Sequence, residues 1–163
     1  MTTSLRDGLP DALREVRTRP LFVMRLDVRP LQIIGATPGG YRRVGVVPSG
    51  VFDGERLSGR VLEGADWQNV RGDGSTALDV RLVLQTIDDA LIGMSYRGIR
   101  HGTPDVIARV EKGEAVDPGD YYFRMAPLFE AAATQYAWLN NVVAVGIGHR
   151  RVEGPVYNIF EVL

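Results

Sequence analysis

The hydrophobic and polar positions of this chain mostly alternate. In Ala77-Leu78-Asp79-Val80-Arg81-Leu82-Val83-Leu84, residues Leu78, Val80, Leu82 and Leu84 share one face. Asp79 and Arg81 share the other, because strand side chains repeat with period two. Comparable extended runs are Leu21 to Val28, Leu31 to Gly35, Tyr41 to Phe52, Leu57 to Leu62, Ala90 to Arg97, Asp120 to Ala126, Asn141 to His149 and Pro155 to Val162. Pro48 predicts a bend or an edge within the third of these. Gly64-Ala65-Asp66-Trp67 reads as a break after Leu62. Turn signals at Thr37 to Gly40, Asp53-Gly54, Asp73-Gly74, Ile87 to Ala90 and Gly154 separate the runs.

Helical signals are few. Leu9 to Arg17 predicts a short peripheral helix with Leu9, Leu13 and Val16 as its apolar stripe, ended by Pro20. Residues 101 to 120 read as a polar loop with one helical turn around Asp105 to Glu111. Leu128 to Tyr136 has helical propensity but is short. Many short strands with glycine-rich turns predict an all-β sandwich or closed barrel, since closure removes exposed edges. The expected organisation is a helical extension over residues 1–19 and one β-barrel domain over 20–163.

Composition narrows the function classes. A chain of 163 residues can bury a core without staples. The formal net charge of −1 gives no electrostatic case for nucleic acid or an anionic membrane. Arg42-Arg43 and Arg150-Arg151 are read as solvated loop or strand-end charges. There is no cysteine, which removes disulfides, thiolate metal sites and a cysteine nucleophile. No apolar run approaches the roughly 18 residues needed to span a bilayer, and no signal-peptide core is present, so the default expectation is cytoplasmic.

Several motifs are absent. Gly146-Ile147-Gly148 has Arg151 where a dinucleotide loop needs its third glycine. Gly93-Met94-Ser95-Tyr96 has Arg97 where a nucleophile elbow needs glycine. The two histidines, His101 and His149, do not make a histidine-rich metal site. No metal ligand or cofactor is assigned.

Three clusters can carry chemistry. Asp66-Trp67 places a carboxylate beside an indole, where an apolar wall at a barrel mouth would raise the acid's pKa into the range of a general base. Equally, Asp66 can cap a turn while Trp67 plugs the barrel end. Asp79 and Arg81 can face a ligand together, or form a surface pair of little consequence. In Tyr121-Tyr122-Phe123-Arg124, Tyr122 and Arg124 share a face suited to gripping a ring or a carboxylate, although such residues also build cores.

Taken in order, Gly59-Arg-Val-Leu-Glu-Gly-Ala-Asp-Trp67, Leu78-Asp-Val-Arg81, Asp88-Asp89, Tyr122-Phe-Arg124, Pro127-Leu-Phe-Glu130, Tyr136-Ala-Trp-Leu-Asn140 and Val145-Gly146 resemble a known family. It is domain of unknown function 3237, also called uncharacterised protein family 0311, and the likeness spans about residues 20 to 163. Glu63 and Ala90 depart from it, at positions where members often carry glycine or, at the first, proline. The resemblance implies a lipocalin-like antiparallel β-barrel, often in a homo-oligomer. It also implies roles in natural-product or aromatic metabolism, including cofactor-free addition of a hydroxyl across an activated double bond.

The expectation is therefore a cofactor-independent lyase- or isomerase-type enzyme acting on a hydrophobic aromatic or enone-bearing small molecule. Asp66 or Asp79 would be the base, and Arg81 or Arg124 would stabilise an enolate or phenolate. Tyr96 or Tyr122 would relay a proton, while Trp67, Trp138 and Asn140 would contact substrate. The rival is a binding protein of the same fold, which predicts an apolar cavity with its carboxylates turned outward. A filled barrel serving only as a structural oligomer is the third reading.

Overall fold

The computed structural model describes residues 4–163. Its strands are β1 (Thr18–Asp27), β2 (Gln32–Thr37), β3 (Gly40–Val47), β4 (Ser49–Asp53), β5 (Gly59–Val70), β6 (Thr76–Thr86), β7 (Leu91–Gly102), β8 (Tyr121–Ala131), β9 (Ala144–Arg151) and β10 (Gly154–Val162). One helix, α1 (Pro104–Glu111), and 3-10 segments at Asp11–Leu13, Pro118–Asp120 and Thr134–Asn141 complete it. None of the described helices is long and apolar enough to cross a membrane.

All pairings are antiparallel. From β5 the order runs β4, β1, β10, β9, β8, β7, β6 and back to β5, closing an eight-stranded barrel. Past Pro48, β3 continues the line of β4 along the same edge of β5 and carries β2 on its outer side. The bend expected at Pro48 is thus a break between two strands that share one neighbour.

The sequence reading needs correction at four places. Leu9 to Arg17 forms only the 3-10 turn Asp11–Leu13, because Leu9, Leu13 and Val16 remain 38%, 67% and 78% exposed and find nothing to pack against. Helical propensity alone does not sustain so short a segment. The segment Gly64 to Trp67 does not break the sheet: β5 runs through it with a bulge, Val61 pairing with Leu84 and Gly64 with Leu82. Two residues, Leu62 and Glu63, thereby oppose Val83 alone. A Cβ on Gly64 would stand 2.1 Å from the Arg81 carbonyl oxygen, so only glycine closes this ladder.

Asp79 and Arg81 lie on the outer wall, both exposed, while Leu78, Val80, Leu82 and Leu84 fill the interior. Burying four aliphatic side chains, at about 1.5–3 kcal/mol each, outweighs burying an ion pair that would have to be desolvated. Finally, β8 extends through Ala131, and the ambiguous stretch after it is the 3-10 segment Thr134–Asn141.

The interior has two halves. At one end Phe22, Phe52 and Phe129 pack together, with ring centroids 5.2 and 6.0 Å apart, alongside fully buried Leu84, Ile92 and Leu139. At the other end lie Leu26, Val47, Leu78, Tyr96, Phe123 and Tyr157, and the lumen there stays open as a cavity of about 420 Å³.

Candidate functional site

The bulge in β5 decides what enters the open half. Before it, Val61 faces inward; after it, the inward set is Gly64, Asp66 and Gln68, and Trp67 turns out to 51% exposure. The ladder with β6 pairs Asp66 with Val80 and resumes at Asn69 with Ala77. In the gap, the Asp79 amide donates to Asp66 Oδ1 at 3.3 Å, and Gln68 Nε2 donates to Asp66 Oδ2 at 2.7 Å. Burial pushes the Asp66 carboxyl up to about 6, against the pull of Gln68, the Asp79 amide and the cations Arg100 and Arg43.

A relay of polar contacts leads away from Asp66. Arg43 Nε donates to Gln68 Oε1 at 2.7 Å, and Arg43 Nη2 donates to Glu111 Oε1 at 2.7 Å. Arg100 Nη2 donates to the same Glu111 oxygen, also at 2.7 Å. Glu111 is the last residue of α1, whose Val110 is buried against the core, so the helix closes one side of the mouth. The two guanidiniums hold Glu111 below the usual carboxylate range although its burial opposes them. Arg150 also lines the cavity, and desolvation, followed by repulsion from Arg100, lowers its pKa.

Three aromatic rings form the inner wall. Tyr96 and Tyr157 have ring centroids 5.7 Å apart, and Phe123 meets Tyr157 edge-on at 5.4 Å. Burial raises the pKa of both phenols, so they stay protonated and can donate. Beside them, the Tyr121 hydroxyl accepts from the Arg150 amide at 2.8 Å and lies 2.9 Å from His149 Nδ1.

Of the residues expected in a site, Asp66 and Tyr96 meet in this lumen. Asp79, Trp67, Tyr122 and Arg124 instead line an open groove of about 1020 Å³ on the outer wall, and Arg81 lies elsewhere on that wall. Tyr122 stacks on His101 at 5.1 Å, and the Arg124 guanidinium covers it at 4.9 Å. Trp138 lies under the Arg56 guanidinium at 4.2 Å, close to the buried end, where Arg56 and Arg19 clamp Glu161. Asn140 is a brace: its amide donates to the Ala131 carbonyl and accepts from the Ala131 amide, both at 2.8 Å. The outer groove is a larger concavity, but among the described residues its carboxylate Asp79 has a single ion-pair contact, to Arg97 at 4.0 Å. Polar groups joined by hydrogen bonds converge in the lumen, which makes it the candidate site.

Sequence reasoning missed Arg43, Gln68, Arg100, Glu111, Arg150 and Tyr157. Arg43 and Arg150 face the lumen and are not the solvated charges expected of the two arginine pairs. Period two from Tyr96 reaches Arg100, and period two from Asp66 reaches Gln68. Among the described residues no group of three or more His, Asp or Glu is placed to hold a metal ion.

Comparison with known proteins places the geometry in a family. A family model described as "Protein of unknown function (DUF3237)" matches residues 16–162. A UPF0311 protein of Clostridium acetobutylicum is 32% identical over 152 residues, covering 92% of this chain and 96% of its own length. The crystal structure of a conserved protein of unknown function from Rhodopseudomonas palustris superposes with a TM-score of 0.88 at 31% identity, covering 91% of this chain and 99% of that one. A structure described as an enzyme from Penicillium herquei shares the fold at TM-score 0.72 and 20% identity, covering 95% of this chain and all of that one.

Proposed function

The chain belongs to the DUF3237 family of proteins of unknown function, and within it we propose a cofactor-independent enzyme that performs acid–base chemistry on a hydrophobic aromatic or enone-bearing small molecule in the barrel lumen. The observation that carries the reading is Asp66: a carboxyl held near pKa 6 by burial, inside a cavity it shares with a buried guanidinium and two phenols. A general base works best when its pKa lies near the operating pH. The binding-protein alternative expects the carboxylates turned outward, and Asp66 is turned in.

The reaction class is addition of a hydroxyl across an activated double bond, within one molecule. The Asp66 carboxylate takes the substrate's hydroxyl proton while that oxygen bonds to the β-carbon of the enone. The electron pair of the double bond moves to the carbonyl oxygen, giving an enolate. Arg100, with its positive charge already in place, stabilises that oxygen. Protonated Asp66 then returns the proton to the α-carbon, and atoms and charge balance as an isomerisation. The fold at least is compatible with catalysis, since the Penicillium herquei protein that shares it is described as an enzyme.

The test uses 2′-hydroxychalcone, whose closure to flavanone is this reaction and is followed by absorbance. The protein should accelerate closure, and Asp66→Asn should lose about 10²-fold or more of that acceleration. Equal rates for the two proteins would overturn the assignment of Asp66.

A further inference from the structure

We propose that the lumen is built to hold an organic oxyanion, a carboxylate or ionised phenol on an aromatic body, between Arg150 and the unengaged edge of Arg100. The inference rests on the lumen being the ligand site, and it is independent of whether Asp66 acts as a base.

Charge in the cavity is unbalanced. Arg43, Arg100 and Arg150 line it, and Arg29 stands at its rim, against the carboxylates Glu111 and Asp66. Arg43 is already engaged on one edge, its Nε on Gln68 and its Nη2 on Glu111. Arg100 is 6% exposed, yet only its Nη2 is engaged, by Glu111, and its Nε has no partner. An unpaired buried donor costs about 1–3 kcal/mol, more when charged, and persists where a ligand supplies the acceptor. Among the described residues, no carboxylate lies within 4.0 Å of Arg150.

Arg100 and Arg150 line one cavity, and the charge on Arg100 adds to desolvation in disfavouring that on Arg150; an anion placed between them is stabilised by both. Guanidinium forks match planar oxyanions in particular. The wall completes the match: Phe123 lies 5.6 Å beneath the Arg100 guanidinium, and Tyr157 meets Phe123 edge-on. A ring carrying the oxyanion can pack there while its charge reaches both arginines. The volume of about 420 Å³ is in the range of small-molecule sites.

The test compares 2-naphthoate with its neutral isostere 2-naphthamide by calorimetry at pH 8, with 4-nitrophenolate as the second arm. Binding of 2-naphthoate at least about tenfold tighter than 2-naphthamide identifies a carboxylate site. Selectivity for 4-nitrophenolate over 4-nitroanisole identifies a phenolate site instead, and either result supports the proposal. Arg150→Gln should remove the selectivity, and Arg150→Lys should retain most of it, with circular dichroism showing that both variants fold. Arg124→Gln, on the outer groove, should change nothing. Equal affinity for anion and isostere in both arms would overturn the proposal, as would selectivity that survives Arg150→Gln or disappears in Arg124→Gln. Asp66→Asn should keep the selectivity even if it also keeps full chalcone closure, so failure of the catalytic reading is distinguishable from failure of this one.

Discussion

Asp66→Asn should gain stability relative to the wild type as pH rises. Burial moves the carboxyl from 3.8 to about 6 in the folded state. The folded state therefore binds its proton more tightly than the unfolded chain does. The group imposes no penalty well below pH 3.8; the penalty grows as pH rises and is complete above pH 6. A shift of about 2 units at 1.36 kcal/mol each gives a plateau of about 3 kcal/mol, and about 0.5 kcal/mol at pH 4. Asparagine keeps the shape but puts an NH2 where one Asp66 oxygen accepts, from Gln68 or from the Asp79 amide; that cost is the same at every pH, so the change in relative stability with pH isolates the charge. Urea denaturation of both proteins at pH 4 and pH 8 separates this group from all others that titrate, because they are common to both. The stability of the variant relative to the wild type should rise by about 2.5 kcal/mol from pH 4 to pH 8. A variant destabilised equally at both values would mean that Asp66 is kept for its hydrogen bonds to Gln68 and the Asp79 amide, and the argument from burial would fail.

Two further substitutions probe what holds the site. Gly64→Ala drives a Cβ to 2.1 Å from the Arg81 carbonyl oxygen; it should destabilise by at least about 1–3 kcal/mol, as overpacking does, and abolish the pH-dependent difference just described, because the bulge that turns Asp66 inward cannot close. Unchanged denaturation curves would refute the role given to the bulge. Asn140→Ala removes both hydrogen bonds to Ala131 and should lower stability by about 1–3 kcal/mol with no change in 2-naphthoate affinity, whereas lost affinity would return Asn140 to the substrate site.

The strands are legible because period-two alternation is local: β6, β9 and β10 follow directly from their apolar positions, while their number leaves a sandwich or a closed barrel, of which the family resemblance implies the barrel. Which face turns inward is a different question. Tyr121 with Phe123 and Tyr122 with Arg124 are separated correctly, but both pairs offer aromatic surface, and only the packed barrel buries the first pair and leaves Tyr122 exposed with Arg124 half-buried. The raised pKa expected for Asp66 from an apolar wall agrees with its burial, yet its inward orientation depends on an extra residue opposite Val83, which the Gly64 signal suggests as a break in the strand. Arg100 and Glu111 were hidden for another reason. They are 11 residues apart and meet only because α1 folds back over the barrel mouth, and no spacing rule reports such a contact.

The same division of the interior accounts for how a strained site is tolerated. Each of Leu84, Ile92, Leu139 and Ile159 is completely buried and contributes about 1.5–3 kcal/mol. Any two of them offset the roughly 3 kcal/mol that an ionised Asp66 costs at neutral pH. These four side chains and the Phe22–Phe52–Phe129 cluster fill the end away from Asp66, so stability is concentrated where no chemistry is needed. Filling the open half with apolar side chains of matching volume would raise stability further while removing the cavity, the carboxylate and the unengaged guanidinium edge together. A chain selected for stability alone would have that interior. The retained hollow, with its destabilised carboxyl and the unengaged Arg100 edge, is what the proposed ligand site predicts.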